Sequence, residues 1–236
     1  MTDPLDPIRA LMRRATGDEK HDSSASSTLD VLWVLYDQVL RYDPRDPCYE
    51  GRDRFLLSKG HGPLGLYAIL AAKGFFPAEA LDTFVTAEGI LGGHPDRMLV
   101  PGVEISTGSL GHGLPMAVGV SLALRAKASD RRVFVLVGDG ECNEGSIWEA
   151  VMVAPHLRLA HLTCIVVNNR SSTIDLGDLA AKFAAFGWAS ARVDGGDHTQ
   201  LAGALRAHDR VRPTAVIAEV GPHARGRIHN GAHRDA

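Results

Sequence analysis

Apolar and polar positions alternate along the chain in two rhythms. In the first half they recur at helical spacing. Residues 28–40 (TLDVLWVLYDQVL) predict a helix. His61 to Lys73 predicts a second, with Pro63 near its start, where a missing N–H costs little. Ser109 to Lys127 predicts a third, largely buried helix whose small residues Gly111, Gly113, Ala117 and Gly119 permit close packing. Between these helices, Ala87 to Thr107 is rich in Gly and Pro and predicts a long loop, which in a compact domain is usually functional.

The second half alternates short apolar runs with helical stretches. Arg132 to Val137 is a β-rich run ending in Gly138, and Glu144 to Leu157 is helical. Leu162 to Val167 is a second run, followed by a helix over Asp178 to Phe186 and a strand over Trp188 to Val193. Thr199 to His208 reads as a helix and Thr214 to Glu219 as a last strand. Strands alternating with helices imply βαβ crossovers, hence an α/β fold with a parallel sheet flanked by helices. Ligands of such sheets bind beyond the carboxyl ends of the strands, so the residues after Val137 and Val167 are the first place to look.

Composition narrows the class. With 45% hydrophobic and 22% charged residues, the 236-residue chain is not an intrinsically disordered one. It reads as a single domain over 1–236, with an N-terminal extension over 1–20 and a tail over 221–236. A net charge of −3 gives no field that would attract nucleic acid or anionic lipid. The longest apolar run, Leu114 to Leu124, is interrupted and too short to span a bilayer. Met1 to Pro7 has no apolar secretory segment, and three cysteines at 48, 142 and 164 form no CxxC pair, so a cytoplasmic location is expected.

The chemistry gathers at two strand ends. Gly138-Asp139-Gly140 follows one run and Asn168-Asn169 the next, a spacing that fits one turn, one helix and one strand. If those strands are neighbours, Asp139 and Asn169 lie side by side. One carboxylate and one amide oxygen make a sparse hard-oxygen site, suited to Mg²⁺ completed by phosphate and water. Gly138 and Gly140 allow a diphosphate to approach the backbone, and Gly140 can offer its N–H. Alone, Gly-Asp-Gly is also a common turn sequence.

Four segments in order then resemble one family. Gly138-Asp139-Gly140-Glu141-Cys142-Asn143-Glu144-Gly145-Ser146-Ile147-Trp148-Glu149-Ala150, with Asn168-Asn169-Arg170 behind it, resembles the thiamine-diphosphate motif of transketolases. Arg54-Phe55-Leu56-Leu57-Ser58-Lys59-Gly60-His61-Gly62-Pro63 is similar to the family's "DRFxLSKGHxxP", Gly93-His94-Pro95-Asp96 to its "GHP" loop, and Thr107-Gly108-Ser109-Leu110-Gly111-His112-Gly113-Leu114 to "TGSLGxGL".

The resemblance implies a thiamine-diphosphate-binding fold and a set of roles. Asp139 and Asn169 would bind Mg²⁺ with the backbone carbonyl of Ser171. Gly140 would hold the diphosphate, and Gly108, Ser109 and Leu110 would bracket the thiamine rings. Glu144 would lie at a subunit interface near the partner's activating glutamate. His61 and His94 would line the pocket around the thiazolium. His21 falls where the family has another active-site histidine, and Ser24 on a further pocket position. Imidazoles suit ketol transfer because they exchange protons with sugar hydroxyls near pH 7.

The pattern departs from the family in places. Lys20 and Asp22 flank His21 where Gly and Pro are usual, His112 stands where Gln is frequent, and Thr173 stands near another such Gln. Gly221 to Arg227 replaces a Lys-Gly-x-Gly stretch, and His229-Asn230-Gly231 stands near the family's "WHG". Full-length members add a pyrimidine-binding and a C-terminal domain. The resemblance therefore implies the N-terminal subunit of a split transketolase, working as a heterotetramer with a separate C-terminal subunit. Its docking surface is expected on the helix of residues 109–124 and around Glu144. Another thiamine-diphosphate reaction on 2-oxo acids, or a non-catalytic stabilising subunit, are the alternatives.

Overall fold

The structure, a computed structural model, describes residues 3–15 and 22–221. Five strands form one parallel sheet in the order β1-β2-β3-β5-β4. They are β1 (Arg54–Leu57), β2 (Val133–Gly138), β3 (Leu162–Asn168), β4 (Ala189–Asp194) and β5 (Thr214–Glu219). The alternation of side chains along each strand divides the core into two layers. Phe134, Leu136, Ile165, Val167, Val216 and Ala218 face one layer. Val133, Val135, Val137, Cys164, Val166 and Ile217 face the other.

Helices α1 (Asp6–Met12), α2 (Asp22–Val34), α3 (Leu64–Ala72) and α7 (His198–Arg206) cover the first face. Helices α4 (Gly113–Ala126), α5 (Gly145–His156) and α6 (Leu179–Ala185) cover the second. The three inner strands are mostly apolar and buried along nearly their whole length because both their faces are covered. The expected α/β parallel architecture is therefore present.

Local differences have local causes. The helix expected over 28–40 starts at Asp22 and ends in a π-helical turn over Leu35–Val39. The helix expected from Ser109 starts only at Gly113, because Gly111 sits in the left-handed region (φ +84°) and breaks the helical path. Gly119 was expected to serve close packing, yet a Cβ there would meet nothing within 4 Å. Strand β1 and helix α1 were not expected as elements. The first is four residues long, and the second buries Leu5, Ile8 and Met12 inside the stretch read as an extension. Asp178 and Asp197 start α6 and α7 by accepting backbone N–H groups of Ala181 (3.0 Å), and of Thr199 (2.9 Å) and Gln200 (3.0 Å). No helix among the described residues is long and apolar enough to cross a membrane.

Candidate functional site

The sheet register brings the predicted pair together. β2 and β3 are parallel neighbours with Gly138 opposite Val167, and Asp139 N–H donates to the Val167 carbonyl (3.1 Å). Asp139 and Asn169 thus sit at adjacent strand tips. The buried Asp139 carboxylate accepts three hydrogen bonds from the loop behind them. Ser171 N–H (2.7 Å) and Ser172 N–H (3.1 Å) reach Oδ2, and Ser171 Oγ (2.8 Å) reaches Oδ1. The same loop carries the Ser171 carbonyl past Gly140, 3.8 Å from where a Cβ would stand.

Asn169 Oδ1 is buried with no hydrogen-bond partner among the described residues, while Nδ2 lies 3.5 Å from Ser27 Oγ. A buried amide oxygen without a donor costs roughly 1–3 kcal/mol unless something else binds it. Together with the Asp139 carboxylate and the Ser171 carbonyl, it makes an all-oxygen donor set for a hard divalent ion. The residues present fit Mg²⁺. A cleft of about 450 Å³ opens here, lined by Asp139, Asn168, Arg170, Ser172, Thr173 and Ile174 among others. A larger one of about 650 Å³ lies beside the start of β1, where Arg52 is spent on Glu104 (2.7 Å) and Arg41 on Asp53 (2.8 Å).

The predicted ring-bracketing segment lies against the histidine segments. A Cβ on Gly60 would stand 2.4 Å from Thr107 Oγ1 and 3.0 Å from Gly108 N, so the backbone before His61 touches 107–108. A Cβ on Gly108 would stand 2.9 Å from His94 Cδ2, which places the His94 ring directly on that glycine. Thr107 Oγ1 also donates to the Leu57 carbonyl at the tip of β1 (2.9 Å). Gly60, the residue before His61, and the His94 ring therefore both lie against Gly108. Ser109 is exposed and Leu110 half-buried. His112 is exposed, its Nδ1 3.0 Å from the Leu110 carbonyl.

Glu144 is exposed ahead of α5, its Cβ beside Gly111. Ser24 Oγ is buried without a hydrogen-bond partner among the described residues, and the Ser24 carbonyl accepts from Ser27 Oγ (3.0 Å). His21, Arg225 and His229 lie outside the described residues.

Sequence reasoning missed the buried polar groups beneath the site. Lys59 is 3% exposed and donates to Ser27 Oγ (2.9 Å). Burial pushes its ammonium down to about 8, against a weaker opposite pull from Asp139 and Glu141. Glu141 is equally buried, and desolvation holds its carboxyl above the usual range despite hydrogen bonds from Ser58, Gly111 and Gly138. Both residues stood inside the recognised motifs. The missing signal was the partnering, which spans 32 residues for Lys59–Ser27 and 83 for Ser58–Glu141.

Comparison with known proteins decides the family. The transketolase thiamine-diphosphate-binding domain matches residues 5–227. The chain belongs to the transketolase family. This transketolase-family chain is 49% identical over 217 residues to a Rhodococcoides fascians protein named ferredoxin fas2, covering 91% of this chain and 71% of that protein. It is 38% identical over 207 residues to the 6-deoxy-6-sulfo-D-fructose transketolase subunit SqwG of Clostridium sp. (strain MSTE9), covering 84% and 75%. The solved transketolase of Leishmania mexicana matches with a TM-score of 0.77 at 26% identity, covering 92% of this chain and 37% of that one. The transketolase-type thiamine-diphosphate-binding fold is thus present, over about a third of the length of that solved relative.

Proposed function

We propose that this chain is the diphosphate-binding subunit of a transketolase-like transferase. It would move a two-carbon ketol unit from a ketose or ketose-phosphate donor to an aldehyde acceptor. The observation that carries the reading is the oxygen pair at the tips of β2 and β3, with Asn169 Oδ1 buried and unpartnered beside the Asp139 carboxylate. Asp139, Asn169 and the Ser171 carbonyl would hold Mg²⁺. Gly140 N–H would hold the diphosphate, with Ser24 supplying a further polar contact. When bound, thiamine diphosphate supplies the carbanion that attacks the ketose carbonyl.

This chain's own work is orientation and proton handling. Gly108, Ser109 and Leu110 would bracket the rings. His61 and His94, with His21, would accept and return protons at sugar hydroxyls. The approach of Gly60, next to His61, and of the His94 ring to Gly108 supports that division of labour.

The reading includes a separate subunit with the pyrimidine-binding and C-terminal domains, and assembly as a heterotetramer with Glu144 at the interface. It gains support from the relative named as a transketolase subunit, of which this chain spans 75%. The three free thiols, Cys48, Cys142 and Cys164, support a reducing, cytoplasmic setting.

The test has two arms. Calorimetric titration with thiamine diphosphate and Mg²⁺ should give saturable binding that Asp139→Ala weakens at least 100-fold. Turnover of xylulose 5-phosphate with an aldehyde acceptor should be negligible for the chain alone and arise on mixing with a pyrimidine-domain subunit. Metal-independent binding, or binding untouched by Asp139→Ala, overturns the reading.

A further inference from the structure

Glu141 takes no part in the proposed handling of ion, diphosphate or protons, yet it is 2% exposed and wholly engaged. Its Oε1 accepts from Ser58 Oγ (2.5 Å) and from Gly111 N–H (2.8 Å). Its Oε2 accepts from Gly138 N–H (3.3 Å). Ser58 Oγ, having given its one proton to Glu141, accepts in turn from Gly113 N–H (3.0 Å). One carboxylate thus joins three separate pieces of chain: the residue after β1, the turn leading into α4, and the last residue of β2.

Each piece leads directly into a different part of the candidate site. Ser58 stands three residues before His61. Gly111 follows Gly108-Ser109-Leu110. Gly138 precedes Asp139-Gly140. The contacts leave little slack. A Cβ on Gly113 would lie 2.2 Å from Ser58 Oγ, and one on Gly111 would lie 2.6 Å from Glu144 Cβ. All three donors point at a group that only accepts, which an ionised carboxylate does with both oxygens and an amide with one.

We propose that Glu141 is a positioning residue that fixes the ring-bracketing turn 108–110 relative to the ion- and diphosphate-binding tip 139–140, acting through Ser58, Gly111 and Gly138. The inference rests on the functional reading above for what the two segments hold. The junction itself stands on geometry alone.

Glu141→Gln keeps the volume but turns one acceptor atom into a donor facing backbone N–H or the Ser58 hydroxyl. Ser58→Ala removes two hydrogen bonds, the one given to Glu141 and the one taken from Gly113, and leaves the carboxylate with its two backbone donors. In hydrogen–deuterium exchange of the full chain without cofactor, Glu141→Gln should speed exchange over residues 106–113 at least tenfold and leave β4 and α7 unchanged. Ser58→Ala should do the same to a lesser degree. Titration with thiamine diphosphate and Mg²⁺ should show a 10- to 100-fold loss of affinity in Glu141→Gln. Adding Ser58→Ala should cost little more, because both act through one junction.

Unchanged exchange over 106–113, exchange raised equally across β4 and α7, unchanged affinity, or fully additive effects would each overturn the proposal. If Glu141→Gln does not fold, Ser58→Ala decides by the same exchange measurement. If the unsubstituted chain binds no thiamine diphosphate, the functional reading fails, and the exchange arm still decides whether the junction positions the turn.

Discussion

Lys59 carries the clearest electrostatic cost near the site. Its ammonium is buried, donates to a hydroxyl and forms no direct ion pair among the described residues, and its pKa falls from 10.5 to about 8. Below pH 8 both folded and unfolded chains hold the proton, so the burial cost is present in full. Between pH 8 and 10.5 the folded chain has released the proton while the unfolded chain keeps it, so stability rises with pH. Lys59→Met removes this titration. The stability of the unsubstituted chain relative to Lys59→Met should therefore improve by up to about 3 kcal/mol from pH 7.5 to pH 10.5, read by urea unfolding without metal. The comparison cancels other titrating groups such as Tyr36, which burial pushes up. A difference that stays flat over this range would show that the ammonium is not desolvated. The case also marks what a sequence conceals at this scale. Asp139 and Asn169 were legible because strand spacing constrains them. Lys59, Ser27, Ser58 and Glu141 were not, because a hydrogen bond between distant residues leaves no local period.

Elements were legible in proportion to their length and regularity. The buried runs of β2, β3 and β5 and the helices α6 and α7 are local patterns, and the structure places them within about two residues of where the sequence does. β1 has only four residues, and three of them are buried in a row, so no alternation announces it. The start of α4 was misplaced because the chain from 109 to 112 is held by contacts with α5 and with the residue after β1. Ser146 Oγ donates to the Gly111 carbonyl (2.8 Å), and Ser58 Oγ accepts from Gly113 (3.0 Å). Two glycine substitutions test that account. Gly113→Ala should destabilise the chain by about 1–3 kcal/mol, since its Cβ would stand 2.8 Å from Ser58 Cα, which cannot swing aside. Gly203→Ala, in the exposed middle of α7 with nothing within 4 Å, should stabilise by about 0.5–1 kcal/mol. Thermal unfolding of both variants checks the pair. A neutral Gly113→Ala would mean that the turn is free to move.

For the whole molecule, the question is what covers the second helical layer. The inner faces of α4 and α5 are buried on the sheet, yet Met116, Met152 and Val153 on the same two helices remain 43%, 56% and 41% exposed. Gly119, one turn beyond Met116, leaves open space above its backbone, and Glu144 is exposed at the head of α5. Exposed methionines and a bare glycine on neighbouring helices suit a surface that another polypeptide packs against, since thioethers adapt to a partner and glycine lets its backbone come close. On the proposed function, that polypeptide is the pyrimidine-domain subunit, and the turn 108–112 with the cofactor lies at the edge of the same surface. A charge placed there should therefore disrupt assembly without disturbing the fold of this chain. Met116→Asp and Gly119→Asp should unfold within about 1 kcal/mol of the unsubstituted chain, as surface changes usually do. Their association with the partner should weaken at least tenfold, with a matching rise in the partner concentration needed for half-maximal turnover. Val211→Asp, at a position 56% exposed just ahead of β5, supplies the control and should leave association unchanged. If the three variants assemble equally well, the partner docks elsewhere, and Glu144 loses its place at the interface.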